Sequence, residues 1–576
     1  MERYNLIDEP WITVLIDLKG NTKNISIREC FNEAENFIGL GGDTKTQDFA
    51  VLRFLLAICH TVYGRMDEKG EAYKDIPLNQ KLQPIEWEVD DSEEHNKSLI
   101  NTWINLWNRG GFSEAVDKYL NVWHDRFYLF GGDYPFYQID KSVMKEHKLE
   151  LLQEGNKQGL YYGKSFNRLL TESSNKISLF AYKSDDFKEI LSEPEIARWL
   201  LTFHGYTGTS DKQTFRKKET DDTWSKGWLY DIGGIYLSGD NLFQTIMLNM
   251  ALVHPEKEYQ ETNFPKPLWE HSPKEIVEYL MESPEIDNLA ELYSNWSRAV
   301  YIDSKIDLRK GFECVPIKLP EVRHENQFLE IMTTWRYNET GINKNSYTPR
   351  KHQPNKALWR SFGLIALPTR VEEKQHQPGI IKWMDILKNH LKIQGIKING
   401  VSMESDGNAT SWVPINEVYD ELDMNTMVLL DQSENGLMMR LYDEVEKTKF
   451  IIEKVYGGLL YKLELIRYGP HDGKKINSVK KINSEKEIVY GKIDEPFRQW
   501  LISLDVKDNM EEKIKEWRQV LQIIMTKEGK RIVEITGTRD FRGIETDKGI
   551  MNIPIAYNIY LAKLNKELGI KKEGEK

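Results

Sequence analysis

The stretch QDFAVLRFLLAICHTVY, residues 47–63, decides what kind of chain this is. Apolar residues fall on every side of its helical projection, with Arg53 and His60 among its few polar points. A helix that is apolar all round is buried, not laid on a surface. His60 reads as a satisfied core or helix-end histidine, with a ligand role as the alternative. A buried helix needs elements packed around it, and the flanking sequence offers strands as well as helices. WITVLIDL (11–18) is rich in β-branched residues, and NISI (24–27) follows the break at Gly20-Asn21, which predicts a hairpin. SIRECFNEA (26–34) predicts a helix capped by Ser26. Helices are predicted over Ser98–Arg109, Phe112–Trp123, Glu193–Phe203 and residues 240–252.

Farther along the pattern stays mixed. NWSRAVYI (295–302) and TTWRYN (333–338) read as strands, and KALWRSFGLIAL (356–367) and GIIKWMDILKNHL (379–391) as helices. IKINGVSMESDGNATSWVPI (396–415) reads as a hairpin with a polar tip. Beyond Met424 the texture changes. Leu437, Leu441, Val445, Thr448, Ile452, Val455 and Leu459 recur at helical spacing, predicting one long helix interrupted or ended near Gly457-Gly458. Phe497, Trp500, Leu501 and Leu504 mark a second helix. Ile514, Trp517, Leu521 and Ile524 mark a third, and Ile555 to Leu568 a fourth. The expected fold class is therefore α+β: a large mixed N-terminal lobe, residues 1–424, followed by a C-terminal four-helix bundle, residues 425–576.

The 576 residues carry a net charge of −12, which argues against a free-standing, non-specific nucleic-acid binder but leaves room for local basic patches. Cys30, Cys59 and Cys314 are few, odd in number and far apart. They make neither a zinc knuckle nor a disulfide framework, and they fit a reducing cytoplasm. No signal peptide or membrane span is expected.

Catalytic templates fail. HExxH, GxSxG and paired cysteines are missing. GLYYGKS (159–165) is one residue short of a Walker A loop. Asp185-Asp186 and Asp221-Asp222 are adjacent carboxylates, which point apart on a strand and read as solvated loop charge; metal-dependent nuclease chemistry is the rival. His124-Asp125 lacks further ligands at compatible spacing. The chain reads as a binding protein without catalytic residues, metal or cofactor. The stretch that suits binding is FHGYTGTSDKQTFRKK (203–218). Its two glycines, Thr207, Thr209 and Ser210, followed by Lys212, Arg216, Lys217 and Lys218, suit either a solvated surface loop or the edge of a nucleic-acid groove.

Several motifs together resemble the CasA family, the large subunit of the type I-E CRISPR Cascade surveillance complex. They are YNLIDEPWITV at the start, DFAVLRFLLAICH, PFYQ (135–138), SLFAYKS (178–184), ARWLLTFHGY (197–206), TWRY and ALWR. The resemblance implies a non-catalytic subunit that works with other Cascade subunits and with the 5′ handle of a crRNA. It would recognise the PAM in double-stranded target DNA, start strand separation and R-loop formation, and help recruit a helicase-nuclease. It implies that Thr207, Gly208, Thr209, Ser210 and Lys212 form a glycine-type loop at the PAM. It places Met332 where a basic finger is expected, leaving Arg336 as the nearest basic substitute or as a brace of its sheet. It makes Asn408, beside Ala409, the wedge, or else an ordinary turn. Phe180 and Lys183 fall on a loop near the crRNA and PAM, where Phe180 is either a contact or a core anchor. The alternative function is a purely structural scaffold that binds partner proteins.

Overall fold

The computed structural model describes residues 4–86, 91–146, 160–166, 183, 186–209, 213–215, 226–260, 264–370, 372, 374–391, 393, 395–407, 414–431, 436–469, 475–534, 537–547 and 549–570. The predicted N-terminal hairpin is present: β1 (Ile12–Leu15) pairs antiparallel with β2 (Thr22–Ile25), turning at Gly20 with φ 85°. Ser26 caps the short helix that follows by accepting from Glu29 N. Helix α1 (Lys45–Tyr63) is the buried helix expected from residues 47–63, and nearly all of its side chains are buried. Its N-terminus is satisfied twice. Thr44 accepts from Gln47 N, and the Glu417 carboxylate accepts from Lys45 N at 3.1 Å and Thr46 N at 2.8 Å. A carboxylate at that end also complements the helix dipole.

Helix α1 packs against α2 (Glu193–Tyr206). The Ser192 N–H and hydroxyl both donate to Glu195, closing a capping box at the start of α2. Strand β3 (Gly234–Ser238) follows, then α3 (Leu289–Ser294), which covers another side of α1. Strands β4 (Arg298–Tyr301) and β5 (Glu313–Lys318) pair antiparallel, and β5 also pairs with Tyr161–Tyr162 and, in parallel, with Gln213–Thr214. The hairpin β6 (Trp335–Tyr337) and β7 (Tyr347–Pro349) sets Arg336 opposite Thr348. Strands β8 (Gly395–Ser405) and β9 (Pro414–Asn425) form the long hairpin expected there, and β8 pairs on its other edge with β3. The Walker-like stretch is not a phosphate loop, because Tyr161–Tyr162 lies in a strand and Gly163–Phe166 in a short helix.

Two compact units emerge. The first comprises residues 1–356, 368–392 and 397–421; the second comprises 357–367, 393–396 and 422–576. In the second unit, α4 (Leu437–Phe450) passes through a π-helical turn, Ile451–Tyr456, into α5 (Gly457–Tyr468). The interruption therefore comes just before Gly457-Gly458, and the helix does not end there. Helices α6 (Lys475–Ile502), α7 (Met510–Glu534) and α8 (Ile553–Leu568) complete the helical region. Trp517 anchors it: its Nε1 donates to Thr448 Oγ1 at 3.0 Å and its ring stacks on Trp500 at 5.6 Å. Met525 is buried in α7 where Ile524 was expected, and Met438 in α4 where Leu437 was expected. Among the described residues, no helix is long and apolar enough to cross a membrane.

The first unit turns on a buried ion pair. Arg53 of α1 donates through Nη1 and Nη2 to both oxygens of Glu330, at 2.8 and 2.7 Å, with both side chains almost fully buried. Trp228 Nε1 and Met332 N donate to the same carboxylate at 2.6 and 2.9 Å. Burial by itself would raise the Glu330 carboxyl; the Arg53 charge and these hydrogen bonds hold it below its ordinary value. Breaking such a pair from one side leaves a charge buried without its counterion. Arg53→Met is therefore expected to cost about 3–5 kcal/mol, read as a lower urea midpoint. Arg53→Met combined with Glu330→Leu is expected to cost less than Arg53→Met alone.

A second buried carboxylate carries the pH dependence. Glu291, in α3, accepts from Tyr279 Oη at 2.8 Å and from Asn288 Nδ2 at 3.0 Å. Burial, reinforced by the neighbouring Asp287 charge, pushes its carboxyl up to about 7. The folded chain then holds a proton that the unfolded chain has released, so this contribution is complete below the unfolded value and is lost as pH rises toward 7. Stability is expected to fall by up to ~3 kcal/mol between pH 4.5 and 8 from this group. In Glu291→Gln that part of the fall disappears from urea titrations run across the same pH range.

Candidate nucleic-acid interface

Helix α2 runs three residues beyond its expected end, so Phe203–Tyr206 are helical and the loop proper starts at Thr207. Its root is braced from inside. Thr207 N donates to Phe203 O, and Gly227 N donates to Thr207 O at 2.9 Å. Arg298 of β4 donates to Gly208 O, and Lys318 of β5 donates to Thr209 O at 3.0 Å. Thr207 and Gly208 are buried and Thr209 is half-buried. The Thr207 N–H and the carbonyls of Thr207 and Gly208 are thus bonded within the protein and both residues are buried, where the expectation had them facing a groove. The nearby Gly205 also serves packing, since a Cβ there would meet Leu229 at 2.9 Å. Ser210, Lys212 and Arg216–Lys218 lie outside the described residues, as do Phe180, Asn408, Asp185 and Asp221-Asp222.

Lys183, expected near the crRNA, donates through Nζ to Glu195 Oε1 at 2.6 Å and to Ile190 O at 2.7 Å, so it braces the start of α2. Met332 is fully buried, and its carbonyl accepts from Ile235 N. Its position is core, with no room for a basic finger. Arg336, four residues on, is exposed on β6, with Nε 3.4 Å from Thr348 Oγ1.

Arg336 opens onto a cleft of about 920 Å³. Arg323, Arg350, Lys351 and Lys226 line it too, together with Met403, Glu404 and Ser405 at the end of β8. Those last residues lead to Gly407, which turns at φ 71° just before the hairpin tip. Lys226 adjoins Gly227, the residue bonded to Thr207. The cleft thus gathers Arg336, the base of the 406–413 tip and the return leg of the glycine-containing loop.

Its charges differ in their partners. Lys226 and Lys351 both ion-pair with Asp231, Lys351 at 3.2 Å. Burial alone would raise the Asp231 carboxyl, but the two lysines hold it low. Arg323, Arg336 and Arg350 have no carboxylate partner among the described residues. Burial and then the Arg336 charge lower Arg350 from its ordinary value, as expected for two guanidinium groups sharing one cleft. The backbone holds Arg350 firmly. Its N–H donates to Thr334 O and its carbonyl accepts from Thr334 Oγ1, both at 2.8 Å. Its carbonyl also packs so tightly on Gly233 that a Cβ there would sit 2.0 Å away. His324 stacks on Trp228 at 4.1 Å, and the half-buried His352 bonds Gly234 O; both are scaffold. Unpaired guanidinium groups in one recess suit an anion with several acceptors, such as a nucleic-acid backbone or a base edge. The sequence reading missed Arg350 and Lys351. The signal was the basic run PRKH directly after the strand that pairs with TWRY.

Among the described residues no group of three His, Cys, Asp or Glu side chains is placed to hold a metal ion. His124 instead bonds Asp8 Oδ2 at 2.7 Å. The three cysteines are buried and free, and burial pushes the Cys30 thiol up to about 12. His60 is a core residue whose imidazole burial pushes down to about 3, and its Nε2 makes no hydrogen bond among the described residues.

Comparison with known proteins places this chain. A CRISPR-associated protein CasA/Cse1 from Thermus thermophilus is 24% identical over 277 residues, which is 47% of this chain and 43% of that protein, so the match spans less than half the relative's length. The crystal structure of Thermobifida fusca Cse1 superposes with a TM-score of 0.73 at 23% identity, covering 99% of both chains. A chain of a CRISPR RNA-guided surveillance complex superposes at 0.61 with 14% identity, covering 98% of this chain and 99% of that one. The family model for CRISPR-associated protein Cse1 matches residues 5–527, nearly the whole length, and the chain belongs to that family.

Proposed function

We propose that this chain is the non-catalytic large subunit of an RNA-guided CRISPR surveillance complex, and that it reads the PAM of duplex DNA through the Arg336–Arg350 cleft. In this reading the guide RNA supplies sequence specificity, and the protein reads only a short duplex beside the target. Arg336 takes the part of the basic finger. The tip beyond Gly407 separates the strands, and the helical second unit serves the other subunits and helps recruit a helicase-nuclease. The observation that carries the reading is the convergence of Arg336, Arg350 and the base of the β8–β9 tip on one recess, with three arginines lacking carboxylate partners. Likeness to a chain of a surveillance complex supports the partner assignment.

The test is a gel shift of the assembled complex, with and without this chain, on PAM-bearing and PAM-lacking duplexes. Equal binding in all four combinations would sink the PAM reading and leave the scaffold alternative. Within the complex, Arg336→Ala and Arg350→Ala are each expected to weaken PAM-duplex binding by about 5- to 150-fold, the span of one good base contact. Where a lost contact is to phosphate, the salt dependence flattens by about one unit of slope. A scaffold predicts unchanged binding for both variants once the complex has assembled.

A further inference from the structure

A small cavity of about 30 Å³ lies beneath the root of the glycine-containing loop. Its wall includes Arg53 of α1, His204 and Gly205 at the end of α2, Tyr293 of α3, and Trp228. Among the polar atoms of lining residues, Tyr137 Oη, Tyr293 Oη, His204 Nδ1 and Asn295 Oδ1 make no hydrogen bond to the described protein, and Ser297 adds a hydroxyl to the wall. Tyr137, His204 and Tyr293 are each at least nine-tenths buried. Leaving such groups without partners is costly, and native interiors rarely do so.

The chemistry of the four atoms defines what fits. His204 Nε2 lies 3.0 Å from Tyr137 O and, facing a carbonyl, must carry the ring proton. Burial pushes this imidazole down to about 3, so it is neutral and Nδ1 is an acceptor. Asn295 Oδ1 is a second acceptor. The two tyrosine hydroxyls stay protonated in so dry a site and act as donors. Donors and acceptors carried by residues that line one small space suit water, which offers both lone pairs and hydrogens. Arg53 in the wall disfavours a cation, and the volume is enough for about one or two waters. Tyr137 is held at φ 53°, a left-handed conformation uncommon for an aromatic residue, and so reaches this site from a separate turn.

We infer that this cavity is a structural hydration site, in which ordered water accepts from Tyr137 and Tyr293 and donates to His204 Nδ1 and Asn295 Oδ1. The water ties α2 to α3 and to the 135–138 turn, directly under Gly205 and Trp228. It thereby stiffens the floor on which the 226–230 segment, with Lys226, rests. This inference stands whether or not the cleft above binds DNA.

The experiment is a high-resolution crystal structure of the full chain, joined to a double-variant cycle. The expected result is solvent density within hydrogen-bond distance of His204 Nδ1 and of at least one tyrosine hydroxyl. A cavity without density, or side chains turned to bond one another directly, would overturn the site. Tyr137→Phe and Tyr293→Phe keep the rings and remove one donor each, so both should fold. Each is expected to lower the urea midpoint, and the double variant by less than the sum, because both act on the same water. Strictly additive losses would overturn a shared site.

Discussion

The Glu330 carboxylate takes four hydrogen bonds in the dry interior, two from Arg53 and one each from Trp228 and Met332. An ionised carboxylate without water is tolerated only where its lone pairs are filled and a counterion is close. That requirement binds together three parts of the chain far apart in sequence: the central helix, the segment after the glycine-containing loop, and the run leading into β6. The Arg53 guanidinium also lies 4.0 Å from the Tyr293 ring, which draws α3 into the same knot. Arg336 and Lys226, which line one cleft, are therefore positioned by one internal charge. Moving either wall would mean breaking a bond to a group that nothing else can solvate.

The elements legible in the sequence were those in which local pattern and final environment agree. The apolar run of α1, the hairpin at Gly20 and the helical spacing of 437–459 each carry a period that survives folding. Helix α6 was legible only at its end. Its first half, KINSVKKINSEKEI, is charged, so periodicity reported only the turn around Phe497 and Trp500. The π-helical turn at 451–456 could not be foreseen from spacing, since one wide turn shifts the phase by less than the tolerance of the pattern. The shift from Ile524 to Met525 in α7 has the same origin: a 3.6-residue period leaves two neighbours competing for one inward direction.

The candidate site was less legible, because its chemistry depends on partners that sequence does not display. Thr207 and Gly208 have the right composition for a groove contact, but Arg298 and Gly227 use their carbonyls inside the fold. Lys183 looks like a free surface cation until Glu195 is seen beside it. Arg350 looks like an ordinary basic residue until it is found without a carboxylate in the cleft that Arg336 also lines. What separates a structural cation from an available one is whether a counterion lies within reach, and the counterions here are up to more than two hundred residues away in sequence, as Glu330 is from Arg53.

In the proposed function the basic finger is an arginine, and that choice sets the kind of reading this cleft can give. A lysine presents a compact ammonium that follows its target on a flexible stem. An arginine presents a planar fork of five donors, already arranged to pair with two acceptors at once. Here the backbone is fixed, since Arg336 lies in the strand paired with β7 and Arg350 is locked to Thr334 and Gly233. The minor groove shows mainly acceptors, shared between A·T and T·A pairs. In the proposed function, donor forks presented to that groove would sense whether an acceptor is present, but not which strand carries the adenine. In the proposed function, recognition by this cleft is therefore strict about position along the duplex and permissive about base identity, and discrimination at the next step passes to pairing with the guide RNA.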